Sequence, residues 1–537
     1  MNAGEVLVIG AGPSAQRFVE RLHHHGHRGG VSVLGAEPHA PYHRALLTSV
    51  LDGTLAPAAL ALPTPPAGTR LHTGVTVTRI DRARRLAHAD DGSVHPYDTL
   101  VLATGARPAV PRIPGLPRLT GLAAADGVAA LRTLADAERC AAAAPGSAVV
   151  LGGGPLAVEA ATALRRAGHE VALVHRGPHP LDRHLDATAG ALLGRRLQDL
   201  GVEFHPGRTA AQYCPGKLTL DDGLVLAADT LLLCTGAVPE TGLARRAGLT
   251  VRTGVVVDEL LRTDDPHIHA IGDCAEHPGD AAGHLEPAWE QAESLARQLT
   301  GAPVLHRGTR QITRLRVPGT DLVRLGRGGP APEGAEVVAF ADPARGRYAR
   351  LTLHGQRITD AVLLGLPRAI AAASRLYERD LPVPAGRLEF LLGIAPAAPD
   401  TDELPDDAVV CRCNNVTKHA LTEACRAGAA DLAQVAAATR ATTGCGGCTD
   451  AVRTLCHLRP AGAGDGADGP SGSPDNGAGT SQDPAGTDEE SARTAGGGGG
   501  AAQQWGGTPR NPVGAADDHG CTTEDQGGRT PGRSGER

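Results

Sequence analysis

Short, wholly apolar runs alternate along the chain with longer stretches of helical periodicity. Val6-Leu-Val-Ile9 is such a run, four residues that predict a strand buried on both faces. Gly10-Ala-Gly12-Pro-Ser-Ala15 follows it directly, a glycine-rich turn opening an amphipathic stretch, and a second apolar run comes at residues 31–34. The same order recurs at Val149-Val-Leu151, Gly152-Gly-Gly154-Pro-Leu-Ala157 and residues 171–174. Two further stretches pair up: Tyr97 to Pro108 and Asp229 to Pro239 each read as a strand ending in Thr-Gly, at Thr104-Gly105 and Thr235-Gly236, and then a proline. The pattern therefore predicts two nucleotide-binding α/β units, the second inserted into the first.

From about residue 301 to 396 the pattern changes to short strands, at 337–339 and 348–353, and predicts a separate α+β domain. Residues 397–407, rich in Pro and Asp, read as a linker. A compact helical segment bearing cysteines follows over 408–458. Residues 459–537 are mostly Gly, Ala, Ser, Asp and Thr; such a segment buries too little apolar area to offset ordering entropy and is expected to be disordered. The first unit is expected over 1–118 and 236–300, and the inserted unit over 119–235.

Composition narrows the function classes. The chain has 537 residues, a formal net charge of −7 and only 2% aromatics, so neither a basic field nor a stacking surface points to nucleic acid. Its arginines are scattered, and the only lysines are Lys217 and Lys418. A strand starts within a few residues of Met1, and no run of about 18 apolar residues is present. Neither a secretory leader nor a membrane span is expected, and the expected location is cytoplasmic.

The glycine turns carry the first chemistry. Gly10-x-Gly12-x-x-Ala15 follows a strand, so its backbone can approach a pyrophosphate at a helix N-terminus. Glu37 lies 22 residues beyond Ala15 at the end of the next strand, where a carboxylate can bind both ribose hydroxyls. Gly152-x-Gly154-x-x-Ala157 repeats the fingerprint, but its second strand ends in His175-Arg176. A cation there can meet a 2′-phosphate, which tilts the reading towards NADPH; Arg176 as a solvated surface residue is the alternative.

Together these motifs resemble the two-dinucleotide flavoproteins of pyridine nucleotide-disulfide oxidoreductase fold, over Val6 to about Thr300. Gly254-Val-Val-Val-Asp258 and His269-Ala-Ile-Gly-Asp273 are similar to that family's late FAD motif. The resemblance implies FAD on Gly10, Gly12, Ala15, Glu37, Arg44, Thr104, Gly105 and Asp273. It implies NAD(P)H on Gly152, Gly154, Ala157, His175, Arg176 and Gly236. Glu159 becomes a nicotinamide-orienting residue by the same resemblance, or else an exposed helix acid. Disulfide-reducing members carry cysteine just after the first βαβ unit. Here Pro41-Tyr-His-Arg-Ala-Leu-Leu-Thr-Ser49 has no sulfur, so electrons are expected to leave by another route.

Cysteine distribution supplies that route. Of eleven cysteines, six fall between Cys411 and Cys456, a clustering that points to a metal site rather than a disulfide framework. Cys411-x-Cys413, 31 intervening residues and Cys445-x-x-Cys448 offer four thiolates, enough for zinc or a [2Fe–2S] cluster. The segment resembles the bacterioferritin-associated ferredoxin-like domain down to Thr442-Thr-Gly-Cys-Gly-Gly-Cys448, which implies [2Fe–2S]. Cys425 and Cys456 are expected to be small buried hydrophobes. Nicotinamide gives up two electrons as a hydride and an iron–sulfur cluster takes one at a time; a flavin can stand between them.

The domain order resembles the front part of NAD(P)H-dependent nitrite reductase large subunits, through Glu37-Pro-His-Ala-Pro-Tyr-His-Arg44, Glu286-Pro-Ala-Trp-Glu-Gln-Ala292 and Thr313-Arg-Leu-Arg-Val317. Nitrite reduction in that family needs a sirohaem and [4Fe–4S] module with four more cysteines, whereas only Cys456 and Cys521 follow Cys448. The resemblance then implies the electron-transfer subunit of an assimilatory nitrate reductase, passing electrons from NAD(P)H to a separate molybdenum-containing subunit. Alternatives are a reductase for a separate nitrite reductase, rubredoxin or ferredoxin, and a flavin redox sensor with structural zinc.

Overall fold

The computed structural model describes residues 4–117, 127–278, 280, 283–302, 304–317, 319–394, 404–406, 408–411, 416–442 and 448–457. Cys413, Cys445, most of the expected linker and the tail expected at 459–537 lie outside the described residues.

The first unit is a five-stranded parallel sheet in the order Ile268–Ala270, Thr99–Leu102, Val6–Ile9, Val31–Gly35, Thr69–Thr73. Parallel pairing buries both faces of the inner strands, which is why Val6–Ile9 reads as a continuous apolar run, whereas the edge strand Thr69–Thr73 has no buried residue. The outermost strand arrives from beyond the second unit, so the chain leaves the first sheet, builds another and returns. That second sheet is also parallel, in the order Val202–Pro206, Glu170–His175, Ser147–Leu151, Thr230–Leu233, Val128–Ala130. Each unit adds a three-stranded antiparallel meander, at Val77–Asp81, Leu86–Ala89 and Val94–Pro96, and at Ala210–Cys214, Gly216–Leu220 and Val225–Ala228. The two crossings between units are themselves paired: Ala106–Pro108 runs antiparallel to Ala237–Pro239. Ile113 and Leu116, just past the first crossing, pack into the core of the second unit.

Helix Pro13–His24 covers the first sheet and packs against Leu285–Leu299. Arg21 of the first helix and His25, just past its end, both bond to Glu293 of the second. Phe18 is fully buried between helix and sheet, among Val8, Val33 and Leu295 of one apolar core.

The third domain is an antiparallel sheet in the order Ile312–Arg314, Leu322–Leu325, Arg357–Leu364, Arg347–His354, Glu336–Asp342, with helix Pro367–Glu378 on one face. Its other face, through Leu315, Leu322, Tyr348 and Leu364, joins the core built by Leu192, Leu193 and Leu197 of the second unit. Tyr348 donates to Asp186 Oδ2 at 2.6 Å across that junction. The last segment has strands Val409–Cys411 and Val416–Thr417 and helices Lys418–Arg426, Leu432–Thr439 and Thr449–Leu455 around a small core.

Replacing Phe18 by Ala leaves a cavity where helix, sheet and returning segment meet. The variant should lose about 3–5 kcal/mol of stability, measured by urea unfolding; a loss under about 1 kcal/mol would show that this core is not the one that holds the first unit together.

Candidate functional site

In each parallel sheet the connections depart in opposite directions from two adjacent strands, which opens a crevice beyond their C-terminal ends. In the first unit these strands are Val6–Ile9 and Thr99–Leu102. Gly10 leaves the first with φ +113°, and a Cβ on it would stand 2.1 Å from the carbonyl oxygen of Ala103. The second unit repeats this: Gly152 has φ +139°, and its Cβ would lie 2.3 Å from the Cys234 carbonyl oxygen. Both first glycines are therefore required by the protein's own backbone. The second ones differ. A Cβ on Gly12 would meet only Arg44 Nε at 3.9 Å, and one on Gly154 nothing within 4 Å. Those positions are bare toward open space at the N-termini of helices Pro13–His24 and Pro155–Arg166, a cradle for a pyrophosphate. Ala15 and Ala157 are buried on the inner faces of these helices, where a small side chain permits close packing on the sheet.

A cavity of about 500 Å³ opens over the first crevice. Its walls include Gly10, Gly12, Glu37, Arg44, Thr104, Gly105 and Asp273, residues separated by up to 263 positions in sequence, and Glu159 reaches it from the second unit. Glu37 accepts a 2.7 Å hydrogen bond from the Tyr42 hydroxyl and pairs with the Arg44 guanidinium. Arg44 in turn donates to Tyr42 at 2.8 Å and lies over its ring at 4.8 Å. Burial pushes the Tyr42 hydroxyl well above the ordinary phenol range, with Arg44 opposing and Glu37 reinforcing, so it stays a donor. On the far wall Arg132 bonds Asp273 Oδ2 at 2.9 Å and the Ala106 carbonyl at 2.8 Å. Thr104 Oγ1 donates to the Glu240 carbonyl at 2.7 Å, tying the two crossings together.

Glu159 is not the exposed helix acid that was the sequence alternative. It is buried, accepts from the Arg316 backbone N–H at 2.9 Å and lies 3.7 Å from its guanidinium. Burial raises its carboxyl above the usual range, against the Arg316 charge. Arg316 also reaches back to the Ala45 carbonyl at 2.7 Å, so the third domain closes one side of the cavity. Arg132 was missed from the sequence, because nothing in its neighbourhood marks it; Trp289 and Arg316 stood in stretches that carried only the likeness to nitrite reductase large subunits, with no site role, and the folded chain brings all three to the cavity.

His175 corrects an expectation. Its ring packs under the second glycine turn, where a Cβ on Gly153 would lie 2.3 Å from it. It is buried, with Nε2 3.0 Å from Asp182 Oδ1 though outside hydrogen-bond geometry. It therefore faces inward, and exposed Arg176 is left as the cation at the strand end. Gly236, at φ +115°, opens the second crossing strand with free space around it.

A second cavity of about 330 Å³ adjoins Asp273. Beside it His277, Asp280 and His306 gather. The Asp280 carboxylate is already engaged by His306 and Gln291, each at 2.6 Å, and by the Thr309 N–H at 2.9 Å. The Asp280 carboxylate thus ties helix Leu285–Leu299 to the chain leading into the third domain.

In the last segment Cys411 and Cys448 are both buried in one small core, and neither is taken into a disulfide. Cys425 and Cys456, expected to be separate small hydrophobes, are instead joined to each other, with Cα atoms 5.8 Å apart. The reason is tertiary: each stands at the C-terminal end of one of two packed helices, a juxtaposition that their 31-residue separation does not reveal.

The profile described as pyridine nucleotide-disulphide oxidoreductase matches residues 4–294. The chain belongs to that family. A second profile, the BFD-like [2Fe–2S] binding domain, matches residues 409–457. This family member is 30% identical to a nitrite reductase [NAD(P)H] of Bacillus subtilis, over 85% of its own length and 58% of the relative's. It is 29% identical to the assimilatory nitrate reductase electron transfer subunit of the same organism, over 85% and 60%. It therefore spans about three fifths of the length of these two relatives. Among solved structures it superposes on putidaredoxin reductase in its covalent complex with putidaredoxin (TM-score 0.64, 26% identity, 73% of this chain and 99% of that one). A ferredoxin reductase from Rhodopseudomonas palustris matches equally well (TM-score 0.64, 25% identity, 73% and 100%). The chain is accordingly an NAD(P)H-dependent flavoprotein oxidoreductase with a [2Fe–2S] domain, and its cradle, cavity and buried thiols fit FAD and a cluster. Among the described residues no helix is long and apolar enough to cross a membrane.

Two outcomes are expected. Because Gly12 borders open space, Gly12→Val should fold with the melting temperature of the FAD-stripped wild-type protein and purify without FAD; stoichiometric flavin in the variant would remove FAD from this turn. Arg176→Ala should raise KM for NADPH at least several-fold more than KM for NADH, and equal effects would dissociate Arg176 from the 2′-phosphate.

Proposed function

We propose that this chain is the electron-transfer component of an assimilatory nitrate reductase, oxidising NAD(P)H and reducing a separate molybdenum-containing catalytic subunit. The observation that carries this reading is chemical: no cysteine is among the described residues lining the flavin cavity, while residues 409–457 match a cluster-binding domain and hold six cysteines, four of them in C-x-C and C-x-x-C spacing. In the disulfide-reducing members a dithiol beside the flavin is the outlet, and here the paired cysteines stand in a domain of their own. The similarity to the Bacillus subtilis electron transfer subunit supports the choice of partner. The reading includes a cytoplasmic location, since NAD(P)H is drawn from that pool.

When bound, FAD would accept a hydride from NAD(P)H, and the cluster would relay the electrons singly. The chain's residues bind and orient. The turns at Gly10–Gly12 and Gly152–Gly154 hold the two pyrophosphates at helix N-termini. Glu37 and Asp273 would hold the FAD ribose and its ribityl or pyrophosphate portion, with Thr104 and Gly105 packed beside the flavin. Glu159, fixed by the Arg316 N–H, would orient the nicotinamide carboxamide. Cys411, Cys413, Cys445 and Cys448 would ligate the irons. A second reading, a reductase for a small iron–sulfur protein or for a separate nitrite reductase, draws on the two solved reductases and on the nitrite reductase similarity.

Cys445→Ser separates the electron path from flavin chemistry. The variant should retain FAD, NAD(P)H should still bleach the flavin, and small dyes should still be reduced. Turnover with the nitrate reductase subunit should fall at least a hundredfold. Full turnover with that partner would make the cysteines a structural clip.

A further inference from the structure

The cluster domain needs a fixed approach to the flavin, and one side chain reaches from it to the flavin unit. Arg440 caps helix Leu432–Thr439 in a left-handed conformation, φ +63°, its N–H bonding the Ala436 carbonyl at 2.7 Å. Two residues on, Thr442 also has positive φ, +70°, and Ala441 between them is fully buried with its N–H on Thr439 Oγ1 at 3.1 Å. Non-glycine residues hold such backbone only where their surroundings fix it. The turn is therefore set, and it leads within five residues of Arg440 to Cys445.

From this turn the Arg440 guanidinium extends to the carbonyl oxygen of Ala61 in the first unit. Burial at that contact lowers the guanidinium's affinity for its proton, the mark of a charge drawn partly out of water. Ala61 is held on both sides. It bridges Tyr42, with Leu62 N–H on the Pro41 carbonyl at 2.7 Å and His43 N–H on the Leu60 carbonyl at 2.8 Å. Gln16, on the helix that begins at the FAD turn, bonds the Pro63 carbonyl at 3.0 Å. Tyr42 lines the flavin cavity. Arg440 thus holds Ala61, the backbone partner of the cavity-lining Tyr42, and stands five residues before Cys445 in the sequence.

We propose that Arg440 is the docking residue that seats the [2Fe–2S] domain on the flavin unit, at the Ala61 edge of the cavity wall, and so sets the rate of electron transfer between the two centres. The proposal rests on the electron path described above and concerns its internal step alone. In that step each transfer takes one electron from the reduced flavin and converts one ferric iron of the cluster to ferrous. The flavin proton goes to solvent, and NAD(P)H is the reductant throughout. Arg440 is a positioning residue and touches neither reacting group.

The test uses the full chain with FAD and cluster in place, mixed rapidly with NAD(P)H in the absence of any partner. In Arg440→Ala the flavin should bleach at the wild-type rate, with cluster content and cluster midpoint potential unchanged. Reduction of the cluster, followed by its own absorption and by the paramagnetic signal of the reduced form, should slow about tenfold, equivalent to about 1.4 kcal/mol of lost docking. Arg440→Lys should recover much of that rate, because one ammonium donor suffices for one carbonyl. Wild-type cluster reduction in Arg440→Ala would overturn the proposal. So would loss of the cluster or a shifted potential, either of which would make Arg440 a structural residue of the ligand turn. A wild-type cluster that never reduces would instead sink the electron path itself.

Discussion

Both nucleotide sites depend on how closely a strand end can pass the neighbouring strand's last carbonyl. At the first switch point Gly10 passes the Ala103 carbonyl, and at the second Gly152 passes that of Cys234, each with no room for a Cβ. That approach lets the chain turn at once into a helix whose N-terminal N–H groups point across the crevice. Any larger residue would push the turn outward and move the helix, and the bare second glycines, Gly12 and Gly154, would no longer border open space.

The rest of the molecule completes the first crevice. The second unit contributes Arg132 and Glu159, the returning segment contributes Asp273 and Trp289, and the third domain contributes Arg314 and Arg316. Charges at this confluence are paired rather than left bare: Glu37 with Arg44, Asp273 with Arg132, Glu159 with Arg316. Pairing lets charged groups sit in a half-buried cavity without the full desolvation penalty. It also leaves their geometry fixed before a ligand arrives, so that little has to be reorganised on binding.

The last segment stands apart in construction. Its core is a handful of residues, among them Cys411 and Cys448, and two of its helices are joined by the Cys425–Cys456 disulfide. A domain of this size has little apolar area to bury and depends on such cross-links and on its metal for stability. Among the described residues its core cluster is separate from those of the flavoprotein, and Arg440 makes a contact between the two.

The sequence by itself determined the parts whose physics is local. Apolar runs, the two glycine turns, the Thr-Gly strand ends and the paired cysteine spacings each state their own geometry, and from them followed two nucleotide-binding units, one within the other, and a cluster domain. Tertiary structure alone decided which side chains meet. It turned His175 under its own glycine turn, buried Glu159 against a backbone N–H 157 residues away, and joined two cysteines that sequence reading left apart. Strand and turn preferences reside in neighbouring residues, whereas burial and pairing depend on long-range packing that no short window of sequence contains.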